Sequence, residues 1–349
     1  MRTEIVKIDR EAMDERVMER AGETLRAGGL VAFPTETVYG LGGSALDAQA
    51  ARRIYEAKGR PSDNPLIVHV ADMEHLERIV REVPDAARRL AEAFWPGPLT
   101  MILNKNELVP YGTTGGLETV AVRMPSDGIA LELIRRGGGY VAAPSANTSG
   151  RPSPTTAQHV FEDMDGRIPM ILDGGPVSIG LESTIVDLTE EIPTILRPGY
   201  ISLEMVQAVL GEARMDRGLI SDDSGVRPKA PGMKYRHYAP RADLKIVEGP
   251  VDRVVSYINE QADRPGRVGI ICTEETKGRY PKGDVKCIGT RKNELSIASH
   301  LFAVLREFDE DGVEAIYSES FRAPGLGEAI MNRLLKAAGH QKIDVTDRS

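Results

Sequence analysis

The sequence predicts an α/β protein built from two unequal domains joined by a long linker. Three observations carry that reading. Over residues 1–215, short apolar runs alternate with amphipathic helical segments, the pattern of strands and helices layered on one another. Residues 216–243 then lose any amphipathic period and become rich in Pro, Gly, Asp and Ser, as a linker does. From Leu244 to the end at 349 a second, shorter alternation begins, with the order of a small Rossmann-like domain. A prior of roughly one domain per 150 residues also gives two.

The elements come in this order along the chain. Val17, Met18, Ala21 and Leu25 recur at helical spacing within 13–27, and Gly28-Gly29 stops that helix. A buried strand over 30–33 breaks at Pro34. Helices are expected at 48–57, 73–80, 86–94 and 129–136, the last closed by Gly137-Gly138-Gly139. Strands are expected at 65–70, 99–103, 120–124, 140–143, 170–173, 183–188 and 194–197. After the linker, strands at 244–247, 268–272 and 313–318 alternate with helices at 251–261, 295–308 and 327–338.

Composition narrows the function. Lys and Arg total 44 against 52 Asp and Glu, a net charge of −8, which argues against binding through non-specific phosphate contacts while leaving a local basic cleft open. Cys272 and Cys287 are the two cysteines and form no CxxC pair, so a reducing compartment and no cysteine-built metal site are expected. No apolar run nears the roughly 20 residues that span a bilayer, and residues 1–20 lack a signal-peptide core. A cytoplasmic protein with no membrane partner is the expectation. Neither a G-x-x-x-x-G-K-[ST] loop, a complete G-x-G-x-x-G, a G-x-S-x-G elbow nor an H-E-x-x-H helix occurs. A polyphosphate site here would be assembled from scattered side chains and loop amides.

Several strand ends carry such side chains. Pro34-Thr35-Glu36-Thr37-Val38-Tyr39-Gly40 puts hydroxyls, a carboxylate and glycine directly after a strand, where ligands approach open α/β sheets; a packed turn reads equally well. Lys58-Gly59-Arg60-Pro61 places a point charge and a planar fork two residues apart, a pairing suited to a triphosphate, although a solvated basic loop is the plainer reading of that segment alone. His69 fits a satisfied, partly buried strand histidine better than an acid or base. Arg123, read as mid-strand, needs a carboxylate if buried, from a ligand or from a protein Asp or Glu. Ala143-Pro144-Ser145-Ala146-Asn147, Arg151-Pro152-Ser153, Glu182-Ser183-Thr184 and Arg197-Pro198-Gly199 repeat the theme. So many polar strand ends point to one shared cleft.

Read together, Pro34-Thr35-Glu36-Thr37-Val38-Tyr39-Gly40-Leu41, Lys58-Gly59-Arg60-Pro61, Asn64-Pro65-Leu66, Trp95-Pro96-Gly97-Pro98-Leu99-Thr100, Ala143-Pro144-Ser145-Ala146-Asn147, Glu182-Ser183-Thr184 and Pro231-Gly232-Met233-Lys234-Tyr235-Arg236-His237-Tyr238 resemble the threonylcarbamoyl-AMP synthase family in its two-domain form. The resemblance implies a twisted open-sheet YrdC-like domain (1–215), a linker draped over the cavity as a lid (216–243) and a smaller Rossmann-like domain (244–349). It also implies formation of L-threonylcarbamoyl-adenylate and pyrophosphate from L-threonine, bicarbonate or CO2, and ATP with Mg2+. The product would serve modification of the tRNA adenosine beside the anticodon, with tRNA reached through a partner transferase. By resemblance, Lys58, Arg60, Asn64, Thr119, Ser145, Ser153, Arg197 and Tyr235 line the ATP site, Lys58 and Arg60 being catalytic, and Thr35, His69, Arg123, Ala143 (through its backbone) and Ser183 line the threonine site. No resident metal site is implied. Two other readings stay open: a non-catalytic RNA-binding module, and a carbamoyltransferase that adenylates carbamoyl phosphate.

Overall fold

The structure, a computed structural model, describes residues 2–216, 238–321 and 324–347. Its first part runs β1 (Glu4–Lys7), α1 (Glu15–Arg26), β2 (Val31–Phe33), β3 (Gly40–Ser44), α2 (Ala48–Lys58), β4 (Ile67–His69), α3 (Met73–Ile79), α4 (Asp85–Phe94), β5 (Leu99–Asn104), β6 (Thr119–Arg123), α5 (Gly128–Arg136), β7 (Val141–Ala142), α6 (Ala157–Met164), β8 (Met170–Asp173), β9 (Thr184–Asp187), β10 (Thr194–Arg197), α7 (Leu203–Leu210) and β11 (Arg214–Met215). The second part runs β12 (Asp243–Glu248), α8 (Val251–Ala262), β13 (Val268–Cys272), β14 (Asp284–Cys287), α9 (Glu294–Asp311), β15 (Ala315–Glu319), α10 (Leu326–Ala337) and β16 (Lys342–Asp344).

Local chemistry sets the helix boundaries. The side chains of Asp14, Asp47, Asp72 and Asp127 each accept a backbone N–H at the start of α1, α2, α3 and α5, satisfying donors that the first turn cannot pair internally. At its other end α2 stops on Gly59, whose φ of 61° is left-handed, a conformation that glycine adopts without steric cost.

The chain divides into two compact units. One comprises Met1–Ser149, Ser153–Ser178 and Glu182–Lys234; the other comprises Gly150–Pro152, Ile179–Leu181 and Tyr235–Ser349. Two short loop pieces that the sequence assigns to the first domain therefore group with the second unit. The first unit holds an 11-stranded mixed sheet in the order β1-β8-β2-β3-β7-β4-β6-β5-β9-β10-β11. The second holds five strands in the order β14-β13-β15-β12-β16, every pair parallel.

Register decides what each face of the large sheet does. Val68, Val122, Met101 and Val186 lie side by side across β4, β6, β5 and β9 and point into the main core. The residues between them point the other way. His69, Arg123, Thr100 and Ile185 form one row on that opposite face, and Ile67, Ala121 and Ile102 form the next. Ile67, Ala121, Ile102 and Ile185, with Leu196, make a separate small apolar cluster. The polar side chains of His69, Arg123 and Thr100 thus have an apolar row beside them on the same face.

The elements absent from the sequence reading are β1, β3, β11, β14, β16, α6 and α7. Four of the five strands are sheet edges, with charged sequences such as EIVK and KID; an edge needs no continuous apolar run. The fifth, β3, is GLGGS. Its glycines serve packing: a Cβ on Gly42 would come within 2.9 Å of both Phe33 and Val141. Gly42→Ala should therefore destabilise the protein by about 1–3 kcal/mol, measured as a lower urea midpoint at unchanged m-value.

Candidate active site

Arg123 closes β6, at its last residue and not in mid-strand. Its side chain is almost fully buried, 4% exposed, so the guanidinium must be compensated by the protein around it. One terminal nitrogen lies 2.7 Å from Glu36 Oε1, the other donates to Thr37 Oγ1 at 2.9 Å, and Nε donates to the Gly97 carbonyl at 3.3 Å. The carboxylate that sequence reasoning required is therefore Glu36, supplied by the loop after β2. That loop is held by Thr35, whose Oγ1 donates to the Val38 carbonyl at 2.7 Å and lies 2.8 Å from Thr37 Oγ1. Polar atoms from the loop after β2, the end of β6 and the 95–100 turn meet here.

His69 stands beside Arg123 in register. Its Nδ1 is 3.2 Å from the Ile67 carbonyl and its ring meets Phe33 edge-on. Burial, aided by the Arg123 charge, lowers its pKa to about 3, so the ring is neutral through the whole physiological range. On the other side of Arg123, Thr100 Oγ1 lies 2.7 Å from Ser183 Oγ. Arg197 donates to the Ser183 carbonyl at 3.0 Å through Nε and to Ser183 Oγ at 3.2 Å. Ser153 donates to Glu182 Oε1 at 2.5 Å. Hydrogen bonds thus link Thr35 through Thr37 to Arg123, and Thr100 through Ser183 to Arg197; the pairing of Thr100 with Arg123 across β5 and β6 sets the two groups side by side.

A second cluster surrounds Lys58. This ammonium, at the C-terminus of α2, is 1% exposed. It donates to the carbonyls of Ser145, at 2.5 Å, and Asn147, and to Asn147 Oδ1 at 3.4 Å. Ser145 Oγ donates to the same Asn147 Oδ1 at 2.5 Å. The 143–147 loop is tied to both neighbouring segments: Ala143 N donates to the Ile67 carbonyl, Leu41 N to that of Pro144, and Ala146 N to that of Tyr39. Arg60 donates to the carbonyls of Asn64 and Pro65 at 3.4 and 3.3 Å. Asn64 is buried, and its Oδ1 accepts no hydrogen bond among the described residues. Thr119 opens β6 on the same face as Arg123, about 13 Å away at roughly 3.3 Å per residue.

The structure therefore joins Thr35, Arg123, Ser183 and Arg197 in one polar group, with His69 alongside, and Lys58 and Ser145 in another; Ala143 links the second group to β4. Arg60 and Asn64 share one loop, and Thr119, at the opposite end of β6 from Arg123, is level with Pro65 at the end of that loop in the β4–β6 register. Tyr235 lies outside the described residues, as does most of the 216–243 segment. Tyr238, read as part of the same lid, is instead buried with its ring 5.1 Å from that of Phe302, so its aromatic surface is taken up by packing. Sequence reasoning gave no role to Glu36, Thr37, Thr100, Asn147 or Glu182. All five stand inside the family-like motifs; motif membership was the signal, and side-chain direction was missing.

Known proteins place this arrangement. A family model described as "Telomere recombination", covering the YrdC type of domain, matches residues 23–199, and one described as "Threonylcarbamoyl-AMP synthase, C-terminal domain" matches 201–339. Fold and site thus define a YrdC-type α/β domain followed by its dedicated second domain. The chain belongs to the threonylcarbamoyl-AMP synthase family. It is 51% identical to the threonylcarbamoyl-AMP synthase of Bacillus subtilis over 93% of each chain, and 50% identical to that of Pyrococcus abyssi over 96% of this chain and 98% of the other. A crystal structure of P. abyssi Sua5 complexed with L-threonine superposes with a TM-score of 0.93 at 48% identity, covering 98% of this chain and all of that one.

The neutral His69 has a thermodynamic consequence. The unfolded chain binds a proton near the ordinary value of 6.5, whereas the folded chain binds it only near 3. Stability conferred by the neutral ring is complete above pH 6.5 and drains away as pH falls from 6.5 toward 3. His69→Gln removes this titration. Urea unfolding across that range should show a shallower loss of stability in the variant than in the unaltered protein.

Proposed function

We propose that this chain condenses L-threonine, bicarbonate or CO2, and ATP into L-threonylcarbamoyl-adenylate, releasing pyrophosphate. The observation that carries the reading is the polar row on the face of the large sheet, where hydroxyls and buried cations from residues 35 to 197 converge. Family membership supports it, as does the bound L-threonine of the P. abyssi relative.

Assigned by end, the Arg123 group with Thr35, His69, Ala143 and Ser183 takes L-threonine. Lys58, Arg60, Asn64, Thr119, Ser145, Ser153 and Arg197 take ATP, with Tyr235 contributed by the linker. The contact between Ser183 and Arg197 makes the two halves contiguous, as a reaction joining their occupants requires. The threonine ammonium gives up a proton, the free amine takes up CO2 (bicarbonate less water) with loss of a second proton, and the carbamate so formed attacks the α-phosphorus through one oxygen as the bond to pyrophosphate breaks. No protein nucleophile is needed. The work of the site is alignment and neutralisation of crowded anions, which fixed cations in a dry site do without reorganising. Lys58 would exchange one of its carbonyl partners for a phosphate oxygen. Among the described residues no three His, Cys, Asp or Glu side chains cluster to hold a metal, so Mg2+ would travel with the phosphates of ATP.

The product would pass to a transferase that modifies tRNA, with tRNA binding that partner. A cytoplasmic setting suits the two free cysteines. The linker over 229–240 would close on the labile mixed anhydride and exclude water.

Mass spectrometry of a reaction with L-threonine, bicarbonate, Mg2+ and ATP should reveal the adenylate. Carbamoyl phosphate in place of threonine and bicarbonate should release no pyrophosphate. Strong, salt-dependent tRNA binding without ATP turnover would overturn the reading. Arg60→Ala should raise the KM for ATP by about ten-fold or more and leave that for threonine near its original value; pyrophosphate release unchanged in both terms would remove Arg60 from the site. Deleting 229–240 should lower the yield of adenylate per ATP consumed, with the balance appearing as AMP from hydrolysis of the anhydride.

A further inference from the structure

Glu36 is the least satisfied charged group of the site. It is 8% exposed, and its Oε1 makes the 2.7 Å ion contact with Arg123. Neither carboxylate oxygen accepts a hydrogen bond from any described residue. Its backbone is fixed, since its carbonyl accepts from Ser178 Oγ at 3.3 Å. Buried carboxylates in folded proteins normally collect several donors, and one that does not calls for an explanation. Neutralising Arg123 explains Oε1. It leaves Oε2 without a role.

An α-amino acid supplies one. At neutral pH it is a zwitterion, an ammonium and a carboxylate two bonds apart. The complement of such a ligand is an acid and a base held side by side, and Glu36 with Arg123 is that pair. A neutral zwitterion laid against a neutral ion pair buries no net charge, and each of its ends gains a charge-assisted partner. An arginine alone would grip any carboxylate of the right size and would not distinguish an amino acid from its hydroxy-acid analogue. The chemistry requires that distinction, because the nitrogen is the atom to be carboxylated.

We propose that Glu36 binds the α-ammonium of L-threonine through Oε2 while Arg123 takes the α-carboxylate, so that this ion pair selects substrates bearing an amine. The inference rests on the assignment of threonine to the Arg123 end of the site. A merely structural Glu36, there to keep Arg123 in place, would serve amine and non-amine ligands equally, which separates the two roles.

The test is calorimetric binding of L-threonine and of 2,3-dihydroxybutanoate of the same configuration, which carries a hydroxyl where threonine carries its ammonium. The unaltered protein should prefer threonine by about ten-fold or more. In Glu36→Gln, nearly the same shape without the charge, that preference should shrink to within about two-fold, through loss of threonine affinity with the analogue held or tightened. Glu36→Asp keeps a carboxylate and should retain part of the preference, which gives the same readout if the glutamine variant fails to fold by thermal unfolding. Equal weakening of both ligands in Glu36→Gln, or an intact preference, overturns the proposal. Arg123→Met distinguishes the deeper failure: if it leaves threonine affinity untouched, the threonine site lies elsewhere; if it abolishes binding while Glu36→Gln keeps the preference, the assignment of Glu36 alone is wrong.

Discussion

The site depends on the burial of Arg123 at the end of β6. A guanidinium taken out of water needs its donors met and its charge balanced, and this single requirement recruits Glu36 and Thr37 from one loop and the Gly97 carbonyl from another. The charge also acts through space: together with burial it keeps His69 uncharged, so that the row beside the proposed threonine site carries one cation where two would repel. Register does the rest. Because His69 and Thr100 pair with Arg123 on either side, the three share a face without any loop having to place them.

Lys58 solves a similar problem differently. Its ammonium is held by the carbonyl oxygens of Ser145 and Asn147 and by the Asn147 side chain. These oxygens are the ends of neutral dipoles, which meet the donors of an ammonium without themselves bringing a counter-charge. The contacts of the two buried cations thus differ in kind: Arg123 stands beside a carboxylate, and Lys58 meets carbonyl and amide oxygens.

Much of the fold could be read from the sequence, and the exceptions share a cause. Helices over 15–26 and 294–311 have long amphipathic faces and clear stops, whereas β1, β14 and β16 are short charged edges whose pairing depends on a neighbour elsewhere in the chain. β3 is more instructive: GLGGS looks like a loop, because its glycines make room for Phe33 and Val141 instead of expressing a strand preference. The same limit applies to the site. Motifs marked the loops that carry it, but Glu36 and Thr37 look as equivalent in sequence as Ser145 and Asn147. Only the backbone path shows that Glu36 meets Arg123, or that Asn147 closes on Lys58.

These contrasts bear on how the chemistry can run without a dedicated nucleophile. Carboxylation turns the neutral-overall amino acid into a dianion beside a triphosphate, so the electrostatic demand rises as the reaction proceeds. A site that met the substrates with uncompensated cations throughout would bind the early anions too well to favour the later accumulation of charge. On the proposed assignment the site is graded: the Arg123–Glu36 pair would receive the zwitterion, and Lys58, Arg60 and Arg197 would face the growing negative charge. Ser183 touches both Thr100 and Arg197, so on the proposed assignment it stands between the two ends of the site, where a carbamate oxygen and an α-phosphorus would have to meet.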